Sequence, residues 1–249
     1  MARQKSIIKL DGTIGDITFY KSQDGYLARE KGGVSAERIK NDPKFQRTRE
    51  NGNEFGRAGK AGKALRNSIR PQLQKASDSR MVSRLTKDMV TVIQADTTNP
   101  RGERTVKDGD PKILIGFDFN INGKLGTTLY MPWNKALDKA AGTASVSIPD
   151  FSPTTMVNAP GGTTHFRILA AAAAVDFDEE TYEVSSQETA IMPWEASTVQ
   201  GLNLDLTLPA GTPNTAFLVL GVEFLQEVNN EMYPLKNGAF NSLQIVEVV

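Results

Sequence analysis

The chain has 249 residues, 39% of them apolar and 23% charged, which is enough to bury the core of one large or two small domains. It holds no cysteine and one histidine, which removes disulfides, thiolate metal sites and cysteine nucleophiles and leaves any histidine relay to His165 alone. Its 29 Lys and Arg balance 29 Asp and Glu, but unevenly: residues 1–110 carry 23 basic against 14 acidic side chains, and residues 111–249 carry 6 against 15. A split of that kind suits a basic region that meets nucleic acid, or oppositely charged surfaces that attract one another between copies.

The first stretch, MARQKSIIKLDG, is basic but has no apolar run of signal-peptide length, so no Sec leader is expected. The longest apolar runs, Ala170–Val175 and Ala216–Val222, fall short of the about 20 residues that a membrane-spanning helix needs. The expectation is a protein that stays in the cytoplasm, or reaches a virion or the outside by a leaderless route or lysis.

From Ile8 to Ala28 apolar and polar residues alternate through Leu10, Ile14, Ile17, Phe19 and Tyr26, with the turn signal Gln23-Asp24-Gly25 between two of the runs. Asp-Gly between alternating segments predicts a hairpin, because glycine supplies the positive φ the turn requires. Residues 5–30 therefore read as two or three short strands.

The pattern then changes. Asp42 as N-cap and Pro43 at the first helical position open a helix with Phe45, Phe55, Gly59, Gly62, Leu65 and Ile69 as its apolar or small stripe. Asn51-Gly52 is expected to interrupt it and Pro71 to end or kink it. A second helix starts from the cap candidates Ser77 and Asp78, with Val82, Leu85, Met89 and Ile93 at helical spacing, and ends in the turn-rich DTTNPRG, 96–102. Inside the first helix FGRAGKAGKALR places Gly56, Gly59 and Gly62 three apart. Each glycine costs a helix about 1 kcal/mol, a cost best offset where small residues let another backbone come close. The glycines are therefore read as a contact surface.

From Lys112 onward the chain is β-rich: KILIGFDFN, TASVSIP, THFRILAAAA, LNLDLTL, AFLVLGVEF and FNSLQIVEVV, separated by Pro, Gly and Asn turns. LNLDLTL alternates strictly, as a strand with one buried face must. Six to nine short strands at this spacing predict an antiparallel sandwich. The fold expected is mainly β with an α-helical insert: an N-terminal β arm over 1–33, a basic helical region over 34–100 and an antiparallel β-sandwich over 101–249.

Chemistry is scarce. GRAGKAGKA has Arg57 and Ala64 where a phosphate loop needs Gly and Ser or Thr, and no strand precedes it. His165 has Asp176, Asp178 and Glu179 near it in sequence, but alternation sets His165 and Arg167 on one strand face opposite Phe166 and Ile168, the pattern of a structural histidine. DFDEE, 176–180, lacks the spacing and glycine of a calcium loop and reads as a solvated turn or an acidic face for a basic partner. Trp133 and Trp194, each in an MPW triplet, fill the core if buried and stack on sugar if exposed. KFQRTRENGNEFGRAGKAGKALRNSIR is a candidate for non-specific phosphate contact, although its phenylalanines sit as helix-face residues and not as stacking platforms. No cofactor or metal is expected, and no enzymatic activity.

IKLDGTIGDITFYKSQDGYLAREKGG, FQRTRENGNEFGRAGKAGKALR and LGVEFLQEV together resemble a group of uncharacterised proteins from Bacteroidetes and their mobile elements. The resemblance implies a bacterial or phage source and transfers no functional residue. The sequence thus points to a self-assembling structural subunit of a filament, tube or virion-like particle. Its partner would be itself, head to tail, through Ile14, Ile17, Phe19 and Tyr26 of the arm and through Gly56, Gly59 and Gly62. The alternative is a β-sandwich module that binds carbohydrate or protein at Trp133 and Trp194.

Overall fold

The computed structural model describes residues 1–30 and 32–249. It is mainly β, 35% strand against 27% helix, and its sheets are antiparallel, as the sandwich expectation requires. Two compact units organise the chain, Met1–Arg49 and Glu50–Val249, so the helices that follow Glu50 belong with the large sheets.

The first unit holds a four-stranded sheet in the order β1-β4-β3-β2, made of β1 (Ala2–Arg3), β2 (Gly12–Ile14), β3 (Ile17–Ser22) and β4 (Gly25–Glu30). The predicted hairpin is present. Ser22 pairs with Gly25, Gly25 takes φ +106°, and the Ser22 hydroxyl accepts from the Asp24 N–H at 3.1 Å. A short helix α1 (Ala36–Asn41) follows, capped by the Ser35 hydroxyl. As expected, Asp42 caps the next turn, a 3-10 segment over Pro43–Phe45, by accepting from Lys44 N–H at 2.9 Å.

That turn leads into α2 (Gln46–Ser68), which is followed by α3 (Arg70–Lys75) and α4 (Met81–Gln94). The expected interruption at Asn51-Gly52 does not occur. Gly52 has open space around it, and the packing of Glu54 and Ala58 on the same helix outweighs a glycine penalty of about 1 kcal/mol. The buried stripe agrees with the one expected at its C-terminal end, where Gly62, Leu65 and Ile69 are buried, and differs at its start, where Glu54, Ala58 and Ala61 face inward; Phe55 is 62% and, on α4, Val82 is 45% exposed. Met81 takes the inward place on α4 with Leu85, Met89 and Ile93. Pro71 lies in the first turn of α3, after a break at Ile69.

The expected strand over 112–120 is a second correction. Asp110 caps a 3-10 turn over Pro111–Leu114, where proline at the first position fixes a helical φ. Only the next few residues are extended, held to the last strand, β13 (Ser242–Val248): Gly116 N–H donates to Ile245 O at 2.8 Å and Phe119 N–H to Leu243 O at 2.8 Å.

The second unit is built on a six-stranded sheet. Its centre is β7 (His165–Asp176) beside β11 (Thr215–Val228), paired from Val175↔Thr215 to His165↔Leu225. β8 (Thr181–Glu188) and β9 (Met192–Pro193) pair with β7, and β12 (Glu231–Pro234) and β13 pair with β11. The run Ala170–Ala174 and the run Phe217–Leu220 are apolar without alternation because both faces of these strands are buried. One face, with Leu169, Ala171, Ala173, Val175, Phe217 and Val219, packs with α2, α4 and the two phenylalanines Phe117 and Phe119. The other, with Phe166, Ile168, Ala170, Ala172, Leu218 and Val222, packs against a three-stranded sheet in the order β10-β6-β5, made of β5 (Asn134–Asp138), β6 (Thr143–Ile148) and β10 (Leu202–Thr207). Single-turn helices α5 (Leu125–Thr128) and α6 (Pro153–Met156) border that second core.

A register shift between Leu218 and Val219 against β13 explains why Ile245 and Val248 face the helices and Val246 the other core. The two sheets also meet along one seam through side chains: Gln187 Oε1 of β8 accepts from Asp205 N–H of β10 at 2.7 Å, and Ser185 Oγ from Thr207 N–H at 3.2 Å. Among the described residues, no helix is long and apolar enough to cross a membrane.

Candidate assembly interface

Pairing in the N-terminal sheet fixes which side chains share a face. Ile14 pairs with Ile17, Phe19 with Ala28, Lys21 with Tyr26 and Ala2 with Ala28, and residues directly opposite each other or two apart on one strand point to the same side. Ile14, Ile17, Phe19 and Tyr26 therefore stand on one face, joined by Ala2 and Ala28. Nothing covers it within the unit: Ile14 is 63% and Ile17 45% exposed, and Phe19 and Tyr26 are half-buried. A hollow lined by Met1, Ile14, Ile17 and Ala28, with Asp16, Arg29 and Glu30 at its edge, runs along this face. Lys9 and Lys21 lie over the Tyr26 ring at 5.8 and 5.7 Å from its centroid, so basic groups border the apolar surface. Among the described residues of Met1–Arg49 none is buried.

The glycines of α2 divide. Gly62 is buried, with Leu85 and Met89 of α4 3.7 and 3.9 Å from where its Cβ would sit, so it serves close helix packing inside the chain. Gly56 and Gly59 have nothing within 4 Å and remain open. Beside them an apolar groove lies between Phe55 and the outer side of α4, lined by Val82, Val90 and Lys87. Sequence reasoning placed Phe55 and Val82 inward. Counting the alanines at 58, 61 and 64 in place of the glycines would have turned the helix the right way.

Polar clusters elsewhere are internally satisfied. Glu223, 4% exposed, accepts from Arg167 Nε at 2.6 Å and lies 3.5 Å from Lys75 Nζ, while Glu188 pairs with Arg167 Nη1 at 2.8 Å and with Lys75. Two cations against two anions tie α3 to β7, β8 and β11, and leave no spare base. His165 Nδ1 lies 3.0 Å from Thr164 Oγ1, and its Nε2 lies 3.9 Å from Glu227. Asp176 closes the far end of the same strand and accepts from the N–H groups of Asp178 and Glu179, so these carboxylates serve a turn and not the histidine. Burial pushes the Asp96 carboxyl upward, but the Asn99 side chain and the N–H groups of Asn99, Thr105 and Thr98 outweigh it and hold the group well below the usual carboxylate range. Asp96 is thereby the organiser of the loop after α4. Among the described residues no three His, Cys, Asp or Glu side chains are placed to hold a metal ion.

Trp133 and Trp194 are half-buried and pack against the second core, and the Trp194 indole N–H donates to Val157 O at 3.1 Å. Comparison with family models, with curated proteins and with solved structures finds no match for the chain.

Proposed function

We propose that the protein is a non-enzymatic structural subunit that assembles with copies of itself, its N-terminal sheet serving as the arm that engages a neighbour. The observation that carries this reading is a folded sheet with Ile14, Ile17, Phe19 and Tyr26 on one uncovered face and no buried described residue in its unit. Small sheets without a covered apolar face are marginal in water. A neighbouring copy supplies the cover. Charge supports the same reading: residues 1–49 hold 11 Lys and Arg against 6 Asp and Glu, and residues 50–249 hold 18 against 23, so each unit attracts the other kind across copies. The internally paired ion cluster and the seated histidine give no group poised for catalysis. The carbohydrate-binding alternative draws less support, since Trp133 and Trp194 spend much of their ring surface on the core.

Sedimentation of the purified chain tests this. Species far above 27.1 kDa at micromolar concentration are expected, and they should shrink as salt rises, because charge attraction is screened over about 10 Å at 0.1 M. A monomer at every concentration and ionic strength would overturn the proposal.

A further inference from the structure

The neighbour's receiving surface follows from β8, on the premise that the chain assembles. Tyr182 and Val184 pair with Val175 and Ala173, whose helix-side face is buried under α2 and α4. The helical layer stops there: no residue of β8 is buried, and Tyr182 and Val184 are 42% and 46% exposed on that same side of the sheet. This leaves an aromatic and a β-branched side chain as an open step beside the covered strands.

Its electrostatic setting is one-sided. Between residues 168 and 235 the chain has no Lys or Arg and 11 Asp and Glu, and Asp176, Asp178, Glu179 and Glu180 cluster at the turn that leads into β8, while Glu183 points to the other face of the strand. Lys107 lines a small hollow beside Asp176 and Asp178 and offsets part of this charge. The N-terminal sheet differs: its apolar face carries Lys9 and Lys21 over the Tyr26 ring at one end and Glu30 opposite Ile17 at the other, while Arg29 lies over Tyr20 on the far face.

We propose that the Ile14, Ile17, Phe19 and Tyr26 face of one copy docks on the Tyr182–Val184 step of β8 in the next, with Lys9 and Lys21 of the arm set against the acidic turn. Another open apolar surface of the second unit, the groove between Phe55 of α2 and Val82 and Val90 of α4, has Lys87 as the one charged group in its lining. Lys87 would there face the arm's lysines, like charge against like, which disfavours approach. Charge therefore favours the β8 step over the helical groove.

The test uses the full-length chain in three forms. Glu179→Lys with Glu180→Lys makes the turn beside the step basic, and Lys9→Glu with Lys21→Glu makes the arm acidic. Each double variant alone should need at least about tenfold more protein to assemble than wild type. An equimolar mixture of the two should assemble near the wild-type concentration, since the acidic arm of one meets the basic turn of the other and the reverse pairing is unaltered. Circular dichroism melts confirm that both variants fold, which is expected because every changed residue is exposed. Variants that assemble like wild type, or a mixture that stays as weak as its parts, would overturn this surface and leave self-assembly standing. Loss of assembly in Val82→Lys but not in the turn variant would move the arm to the helical groove. A wild-type chain that never assembles would sink the premise itself.

Discussion

The two compact units are made of the same kinds of strand, yet one buries ten of the 14 residues of β11 between layers on both sides while the other buries none of its described residues. Alternation and cross-strand pairing act in both. The difference lies in what covers the faces. In Glu50–Val249 each face of the β7-β11 pair meets a second layer, helices on one side and the β10-β6-β5 sheet on the other, so Phe166, Phe217 and Phe224 lose essentially all contact with water. In Met1–Arg49 the sheet has one layer only. A local pattern can specify a strand, but burial of about 25 cal/mol for each Å² of apolar surface needs a partner layer.

The largest expected effect separates the units outright. Removing residues 1–33 should leave a chain that melts cooperatively, because both cores lie beyond the deletion, and should abolish assembly. Sedimentation beside a circular dichroism melt reads both results. Loss of the cooperative melt would mean that the arm supports its own chain and is not held in reserve for a neighbour.

Point changes sharpen the contrast. Phe217→Ala removes a ring packed edge-on against Phe177 at 6.0 Å between centroids, and should cost about 3–5 kcal/mol, or roughly 10 °C in melting temperature. Phe19→Ala, on the half-buried arm face, should move the melt by under about 1 kcal/mol but weaken assembly. Equal melting shifts for the two would erase the distinction between a covered and an uncovered sheet.

Much of this was legible in the sequence and some was not, for identifiable reasons. LNLDLTL, the Asp24-Gly25 turn and the Asp42-Pro43 cap each carry a local signal that survives into the structure as β10, the β3-β4 hairpin and the turn before α2. KILIGFDFN carried the apolar content of a strand, but Pro111 committed its first turn to a 3-10 path. The facing of α2 was misjudged because glycines and alanines both count as small, and only the alanines meet the sheet side. β8 escaped notice since TYEVSSQE alternates without burying either set, so the strand lacks the apolar face that marks the others.

A pH test probes the second unit from within. The Asp96 carboxyl is held below its ordinary value, so the stability it contributes is complete above about pH 4 and declines as acid protonates the folded form. Asp96→Asn should therefore melt below wild type at pH 7, and the two melting temperatures should converge as pH falls under about 4. A gap that stays constant down to pH 2 would show that geometry, and not charge, makes Asp96 matter.

The smallest effect bears on whether α2 also faces a neighbour. At Gly59 a Cβ would meet nothing within 4 Å, so Gly59→Leu should stabilise the single chain by about 1 kcal/mol through helix propensity alone. Lys60→Leu, beside it and exposed, changes propensity hardly at all and controls for added apolar surface. If the open glycines at 56 and 59 let a second copy approach closely, Gly59→Leu will raise the melting temperature while also raising the concentration needed to assemble, and Lys60→Leu will do neither. Opposite signs from one substitution are hard to obtain unless the glycine serves contact between molecules. Higher melting with unaltered assembly would show instead that this face of α2 stays free, and would leave the arm and β8 as the contact that joins copies.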